Sequence, residues 1–194
     1  MKDTLQDITT RLRNLDYKNE DHIRIGVVLR LLTKLGWDIW NPQEVFTELP
    51  AIPKEDATRV DIALFMPPQL LRPAVFIEIK AQGRLLPILD SAEIQLRDYN
   101  RNNQADISIL TDGRYWRMYL SSASGEFAHK CFEKVDLLEK DAPLSDVELT
   151  LDAFLSRQAI QSGSAVDDAK KYLKRTDTER IMFDILPSAQ RDAE

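Results

Sequence analysis

The sequence predicts a mixed central β-sheet flanked by helices, an α/β or α+β domain, with a helical C-terminal tail. Three observations carry that expectation. Strand-like runs cluster in the middle of the chain: "RVDIALF" (59–65), "AVFIEIK" (74–80), "DISILT" (106–111) and "RYWRMYL" (114–120). Helical periodicity precedes them at 20–35 and interrupts them at 89–101. The order is helix, three strands, helix, two strands and then helices, which is not a regular βαβαβ alternation. Residues 1–140 therefore read as one domain and 141–194 as a helical extension.

Each element has a local reason. Residues 4–15 and 20–35 read as helices. In the second, Ile23, Val27, Leu31 and Leu35 recur at helical spacing, Val28 and Leu32 widen the stripe, Asn19 suits the N-cap and Gly36 the C′ stop. Trp37 to Leu49 reads as extended structure interrupted at Asn41-Pro42, and "PAIPKEDAT" (50–58) as a polar, proline-bearing loop. "MPPQLLRP" (66–73) is a short connection. The helix at 89–101 is expected to turn Ile94, Leu89 and Tyr99 inward. Asp112-Gly113 between two strands is a hairpin signal. "GEFAHKCFEK" (125–134) is a weaker strand. From Ser145 the pattern is helical, over 145–157, 165–174 and 177–186, with Gln161–Ser164 as a linker. The apolar residues of this tail (Leu151, Phe154, Leu155, Leu173, Ile181 and Phe183) argue that it packs on something.

Composition narrows the function. The chain has 194 residues and a net charge of −6, which argues mildly against nonspecific nucleic-acid binding. The acidity is concentrated at the end: residues 135–194 carry eight Lys/Arg against thirteen Asp/Glu, while 72–134 carry nine against eight. A protein acting on nucleic acid need be basic only near its groove. No apolar run approaches the roughly 20 residues that span a bilayer. The first stretch, "MKDTLQDITTRLRNLD", is too charged for a secretory signal, and the single Cys131 permits no internal disulfide, so a reducing cytoplasm is expected. Cys131, His129 and the distant His22 offer no pair at zinc spacing. None of the six glycines builds a phosphate loop or a dinucleotide-binding turn.

The chemistry concentrates in "VFIEIKAQG" (75–83). Alternation puts Val75, Ile77 and Ile79 on one face of a strand, and Phe76, Glu78 and Lys80 on the other. Asp61 lies in the preceding strand-like run, so neighbouring strands would bring two carboxylates and a lysine to one sheet end. Hard divalent cations take such oxygen ligands. Like charges that close disfavour double ionisation, so one carboxylate pKa should be raised. By itself, E-x-K on a strand is common and is usually a solvated cross-strand face. The apolar flanks of Glu78 set this one apart.

"VD" (60–61) and "EIK" (78–80), with sixteen residues between Asp61 and Glu78, resemble the PD-(D/E)XK nuclease signature. "NEDHIRIGVVLRLLTKLGWDIWNP", "RVDIALF", "VFIEIKA", "QLRDYNRN" and "ILTDGRYWRMYL" further resemble the N-terminal nuclease domain of type I restriction enzyme R subunits and related type IV-like restriction endonucleases. The resemblance covers about residues 17–135. It implies a restriction-endonuclease-like fold and a Mg²⁺-dependent DNA endonuclease, with Mn²⁺ as a substitute, acting in defence against foreign DNA. It also implies that Asp61, Glu78 and the main-chain carbonyl of Ile79 bind the metal, and that Lys80 is the catalytic lysine. Gln95 and Tyr99, four apart on one helical face, match a Gln-xxx-Tyr motif that supports the site. Glu20 matches an additional acidic residue of some branches, or is a first-turn acid complementing the helix dipole. Tyr99 is otherwise a core aromatic with its hydroxyl at the rim. Arg59 would contact phosphate, or is a surface arginine. Val60 stands where the motif has proline. The chain has no phosphate loop, so it reads as a fragment, a stand-alone nuclease, or a subunit whose motor or specificity subunits are other chains; the tail from Ser145 would dock on the core, pair with a second copy as a homodimer, or lead to a partner. The rival reading is a catalytically silent binding or assembly subunit on the same fold.

Overall fold

The computed structural model describes residues 1–52, 55–68, 70–140 and 143–175. Its centre is a six-stranded mixed sheet in the order β1-β2-β3-β4-β5-β6. The strands are β1 (Val45–Ile52), β2 (Glu55–Leu64), β3 (Val75–Ile79), β4 (Ile107–Thr111), β5 (Tyr115–Leu120) and β6 (Cys131–Asp136). Only β3 and β4 pair in parallel; the other neighbours are antiparallel. The helix Leu89–Asn102 makes the crossover that a parallel pair requires.

Helices cover both faces, so the architecture is α+β. All five residues of β3 and all five of β4 are buried, as expected for central strands covered on both sides. The larger core joins Ile62, Ile77, Ile79, Ile109, Trp116 and Met118 of the sheet to the helix Lys2–Arg13 and to the second helix. The smaller core lies under the helix Leu89–Asn102 and contains Ala63, Phe76, Leu96, Tyr99, Leu110 and Tyr119.

The second helix begins as Glu20–Ile23, widens into a π-helical stretch over Arg24–Leu29 and closes as Arg30–Lys34. Asn19 caps it by accepting the His22 N–H at 2.8 Å. Gly36 ends it at φ +89°, the left-handed backbone that glycine adopts most readily. At the β4–β5 hairpin, Asp112 Oδ1 accepts the N–H groups of Arg114 (3.1 Å) and Tyr115 (2.8 Å). Gly113 sits there at φ +85°, and a Cβ on it would lie 2.8 Å from Ile23 Cδ1.

Several expectations need correction. The segment 50–58 is not simply a loop: β1 runs through Ile52 and β2 starts at Glu55, as an antiparallel hairpin. Strand pairing outweighed the proline and polar composition. Residues 37–44 form turns rather than extended structure. Ile94 is half exposed, because the buried stripe of its helix runs through Ala92, Leu96 and Tyr99. The weak strand at 125–134 is a 3₁₀ turn, Phe127–Lys130, followed by β6. The tail breaks after Leu155 and at Gly163 rather than across a four-residue linker, giving helices Leu144–Leu155, Arg157–Ser162 and 164–175. The helix expected at 177–186 lies outside the described residues.

The described part of the tail packs into the larger core. Leu151 and Leu155 are fully buried, and Phe154 sits 4.9 Å from Phe132 and 5.2 Å from Tyr172 between ring centroids. Trp37 Nε1 donates to the Leu155 carbonyl at 2.8 Å, and Arg157 grips Glu44 with two bonds of 2.8 and 3.0 Å. Among the described residues, no helix is long and apolar enough to cross a membrane.

Candidate functional site at the end of β3

The register of β2 and β3 decides whether Asp61 and Glu78 meet. Ile62 pairs with Ile77 and Ala63 with Phe76, so one step further sets Asp61 opposite Glu78. Directly opposed side chains lie on the same face of a sheet. Here that is the face shared with Ala63 and Phe76, toward the helix Leu89–Asn102. Asp61 also closes the end of the ladder, where its Oδ2 accepts the Ile79 N–H at 2.7 Å.

The same logic reaches one strand further. Thr47 pairs with Ile62 and Leu49 with Val60, which sets Glu48 across from Asp61 on the other side. Glu48 has φ +57°, a left-handed conformation that costs a side-chain-bearing residue on the order of 1–3 kcal/mol. Glu48, Asp61 and Glu78 thus form a row across three strands, and two cations answer them. Arg24 Nη2 reaches Asp61 Oδ1 at 2.6 Å and Glu48 Oε1 at 2.7 Å, from the start of the π-helical stretch. Lys80 Nζ donates to Glu78 Oε1 at 2.7 Å.

A directed hydrogen-bond chain leads away from Lys80. The Tyr99 hydroxyl donates its one proton to the Arg59 carbonyl at 2.9 Å. It therefore accepts from the Gln95 amide nitrogen, to which it is closely bonded. That orients the Gln95 oxygen toward Lys80, whose ammonium donates to it at 3.3 Å. Helical spacing of four puts Gln95 and Tyr99 one above the other to do this. Tyr99 is 1% exposed, and burial first, then the Glu78 charge, pushes its hydroxyl pKa up, so it stays neutral.

Glu78 has the most perturbed carboxyl of the site. Burial, then the charge of Asp61, raises its pKa from 4.5 to about 7, while Lys80 pulls the other way. This is the raised carboxylate expected at the sheet end, with burial rather than repulsion as the larger cause. Its Oε2 is buried with no hydrogen-bond partner. A buried anionic oxygen with nothing bonded to it is costly unless a cation or donor reaches it.

The donors present suit a small hard cation. Glu78 Oε2, Asp61 and the Ile79 carbonyl are oxygen donors of the kind Mg²⁺ takes, commonly one or two carboxylates with waters and substrate phosphates completing its shell. No group of three His, Cys, Asp or Glu side chains arranged to hold a metal exists among the described residues. Both Asp61 oxygens already accept hydrogen bonds, from Arg24 and from Ile79 N–H.

The remaining expected residues sit apart from this centre. Glu20 is exposed at the first turn of its helix and lines an open depression of about 470 Å³ with Lys18, Asp21, Arg24, Ala81 and Arg84. Its charge still reaches Glu78 as the weakest of the upward influences on that carboxyl. The Arg59 side chain is exposed, and the residue enters the site through its main-chain carbonyl. Arg24 and Glu48 were missed from the sequence. Glu48 was hidden by reading 50–58 as a loop, which removed the hairpin that sets it beside Asp61. Nothing in sequence spacing signals Arg24, which lies 37 residues from Asp61. Compared with family models, curated proteins and solved structures, the chain finds no match.

Proposed function

We propose that this chain is a metal-dependent DNA endonuclease of the PD-(D/E)XK class, hydrolysing phosphodiester bonds in the cytoplasm in defence against foreign DNA. The observation that carries the reading is the paired strand end. Asp61 and Glu78 are opposed in register, Glu78 keeps one buried oxygen without a partner, and Lys80 is held at 2.7 Å from the other.

Asp61, Glu78 and the Ile79 carbonyl would hold Mg²⁺ or Mn²⁺. Bound there, the metal would polarise the phosphodiester and ease deprotonation of an attacking water. Lys80 keeps its ammonium at the site through Glu78 and Gln95, placed to orient that water or to offset charge developing on the phosphate. Tyr99 and Gln95 brace the lysine from behind. The adjoining depression also holds Glu20 and Asp21; Lys18 and Arg84 are its cations outside the Arg24–Asp61–Glu48 cluster, and would meet an approaching phosphate backbone.

The test is cleavage of plasmid DNA with Mg²⁺, Mn²⁺ or chelator, by wild type and by Lys80→Ala. Metal-dependent cleavage by wild type and its loss in a folded variant are expected. Wild-type rates from Lys80→Ala would remove the assignment. A second reading, a catalytically silent nucleic-acid-binding or assembly subunit on the same fold, is favoured by one observation. Arg24 already neutralises Asp61 at 2.6 Å, as a substitute for a metal charge. DNA binding without cleavage under any metal would support that reading.

A further inference from the structure

At the opposite end of the sheet from Glu78 and Lys80 is a second recess, of about 380 Å³. It lies between the residues that precede β3 and β4, those that follow β5, and the C-terminal half of the helix Leu89–Asn102. Four cationic side chains line it, Arg72, Arg97, Arg101 and Lys130, against one carboxylate, Asp106. That is a local excess of positive charge on a chain whose net charge is −6.

The walls are pinned to one another. Asn100 Nδ2 donates to Ser108 Oγ at 2.9 Å, and Asn100 Oδ1 accepts the Ala105 N–H at 3.1 Å. Ser108 and Ser121 share a hydrogen bond of 2.5 Å, and Ser121 N–H donates to the Asp106 carbonyl. Helix, β4 and the end of β5 are thereby tied together, so the recess does not need to be assembled around a ligand.

The cations outnumber their partners. Asp106 takes Arg72 at 3.1 Å, and Asp98 takes both Arg97 (2.9 Å) and Arg101 (3.4 Å). Lys130 has no carboxylate within salt-bridge distance among the described residues. Its Nζ donates to the Ser121 carbonyl at 3.2 Å and lies 5.9 Å from the centre of the Phe127 ring. Burial pushes its ammonium pKa down, the mark of a cation that has lost water without gaining a counter-ion. Guanidinium groups match phosphate oxygens with paired N–H donors, and cations on separate elements answer an anion carrying several charges better than a single small one.

We propose that this recess binds a phosphate-bearing anion with two or more phosphate groups, either a free polyphosphate or successive phosphates of a nucleic-acid strand. The proposal does not depend on the chemistry assigned to Glu78 and Lys80.

The probe is sodium tripolyphosphate, titrated calorimetrically at low salt with chelator present. Arg101→Gln combined with Lys130→Gln is expected to weaken binding about tenfold or more, the loss of charge-assisted hydrogen bonds. Lys171→Gln, at an exposed cation that lines neither site, is expected to leave it unchanged. Circular dichroism checks each fold. Arg101→Gln alone, at a side chain 67% exposed, is the variant least able to disturb folding and is expected to weaken binding in the same direction. No binding by wild type, equal affinity in the recess variants, or an equal loss in Lys171→Gln would overturn the proposal. A 5′-phosphorylated single-stranded oligonucleotide separates the two sources. Weaker binding by the recess variant assigns strand phosphates, and unchanged oligonucleotide binding assigns a free polyphosphate.

Discussion

Replacing Glu78 by glutamine should make the metal-free protein more stable at alkaline pH. Glu78 is 3% exposed, and its pKa is raised from 4.5 to about 7, burial being the larger cause and Asp61 the next. A carboxyl whose pKa is raised on folding favours the folded state below its unfolded pKa, and that contribution is lost as pH rises through the folded value. The relevant window is therefore 4.5 to about 7. A rise of that size corresponds to about 3 kcal/mol, with little solvent screening at so buried a position. Glutamine keeps the oxygen that accepts from Lys80 and never ionises. At about pH 8 the variant should gain about 3 kcal/mol over wild type relative to their difference at about pH 4, where Glu78 is protonated in both folded and unfolded chains. For a chain of this length that is a gain of roughly 6–12 °C in melting temperature. The assay is thermal and urea melting of both proteins at the two pH values, with chelator throughout. A stability difference that is the same at both would refute the reasoning, because the penalty would then not come from ionising Glu78.

Four further outcomes follow from the same contacts. Mn²⁺ in hundredfold excess over its dissociation constant should stabilise wild type by about 2.7 kcal/mol, and Asp61→Asn should lose most of that rise; an equal rise in both, read by thermal melting, removes Asp61 as a ligand. Tyr99→Phe should cost about 0.5–1.5 kcal/mol in urea unfolding, because the part-buried Arg59 carbonyl and Gln95 amide lose their partner, and under the proposed nuclease activity should slow DNA cleavage by loosening Lys80. Gly113→Ala should destabilise by about 1–3 kcal/mol, since alanine meets both the φ of +85° and Ile23 Cδ1 at 2.8 Å; an unchanged urea midpoint would contradict this. Phe154→Ala should cost about 3–5 kcal/mol, since Phe154 is 2% exposed between Phe132 and Tyr172. A loss below about 1 kcal/mol by the same measurement would mean that the tail is not part of the core.

The sequence alone determined the elements whose causes are local. The apolar run of β3, the Asn19 cap, the Gly36 stop and the Asp112-Gly113 hairpin all appear where they were read, because capping, left-handed glycine and alternation act within a few residues. The spacing of Gln95 and Tyr99 on one helical face was legible for the same reason. What only tertiary structure decided is which strands lie side by side and how far they slide. Register sets Asp61 opposite Glu78 and Glu48 beside them, and composition is nearly blind to register where the strand loop is polar. The same holds for Arg24, carried to Asp61 by packing of the π-bulged helix, and for Ile94, left outside by a shift of the buried stripe. The pKa of Glu78 belongs to this second group, because desolvation depends on every element that closes over the carboxyl. Two acids and a lysine are written in the chain, but their burial and partners, and the raised pKa of Glu78, arise only when the strands and the helix Leu89–Asn102 enclose them.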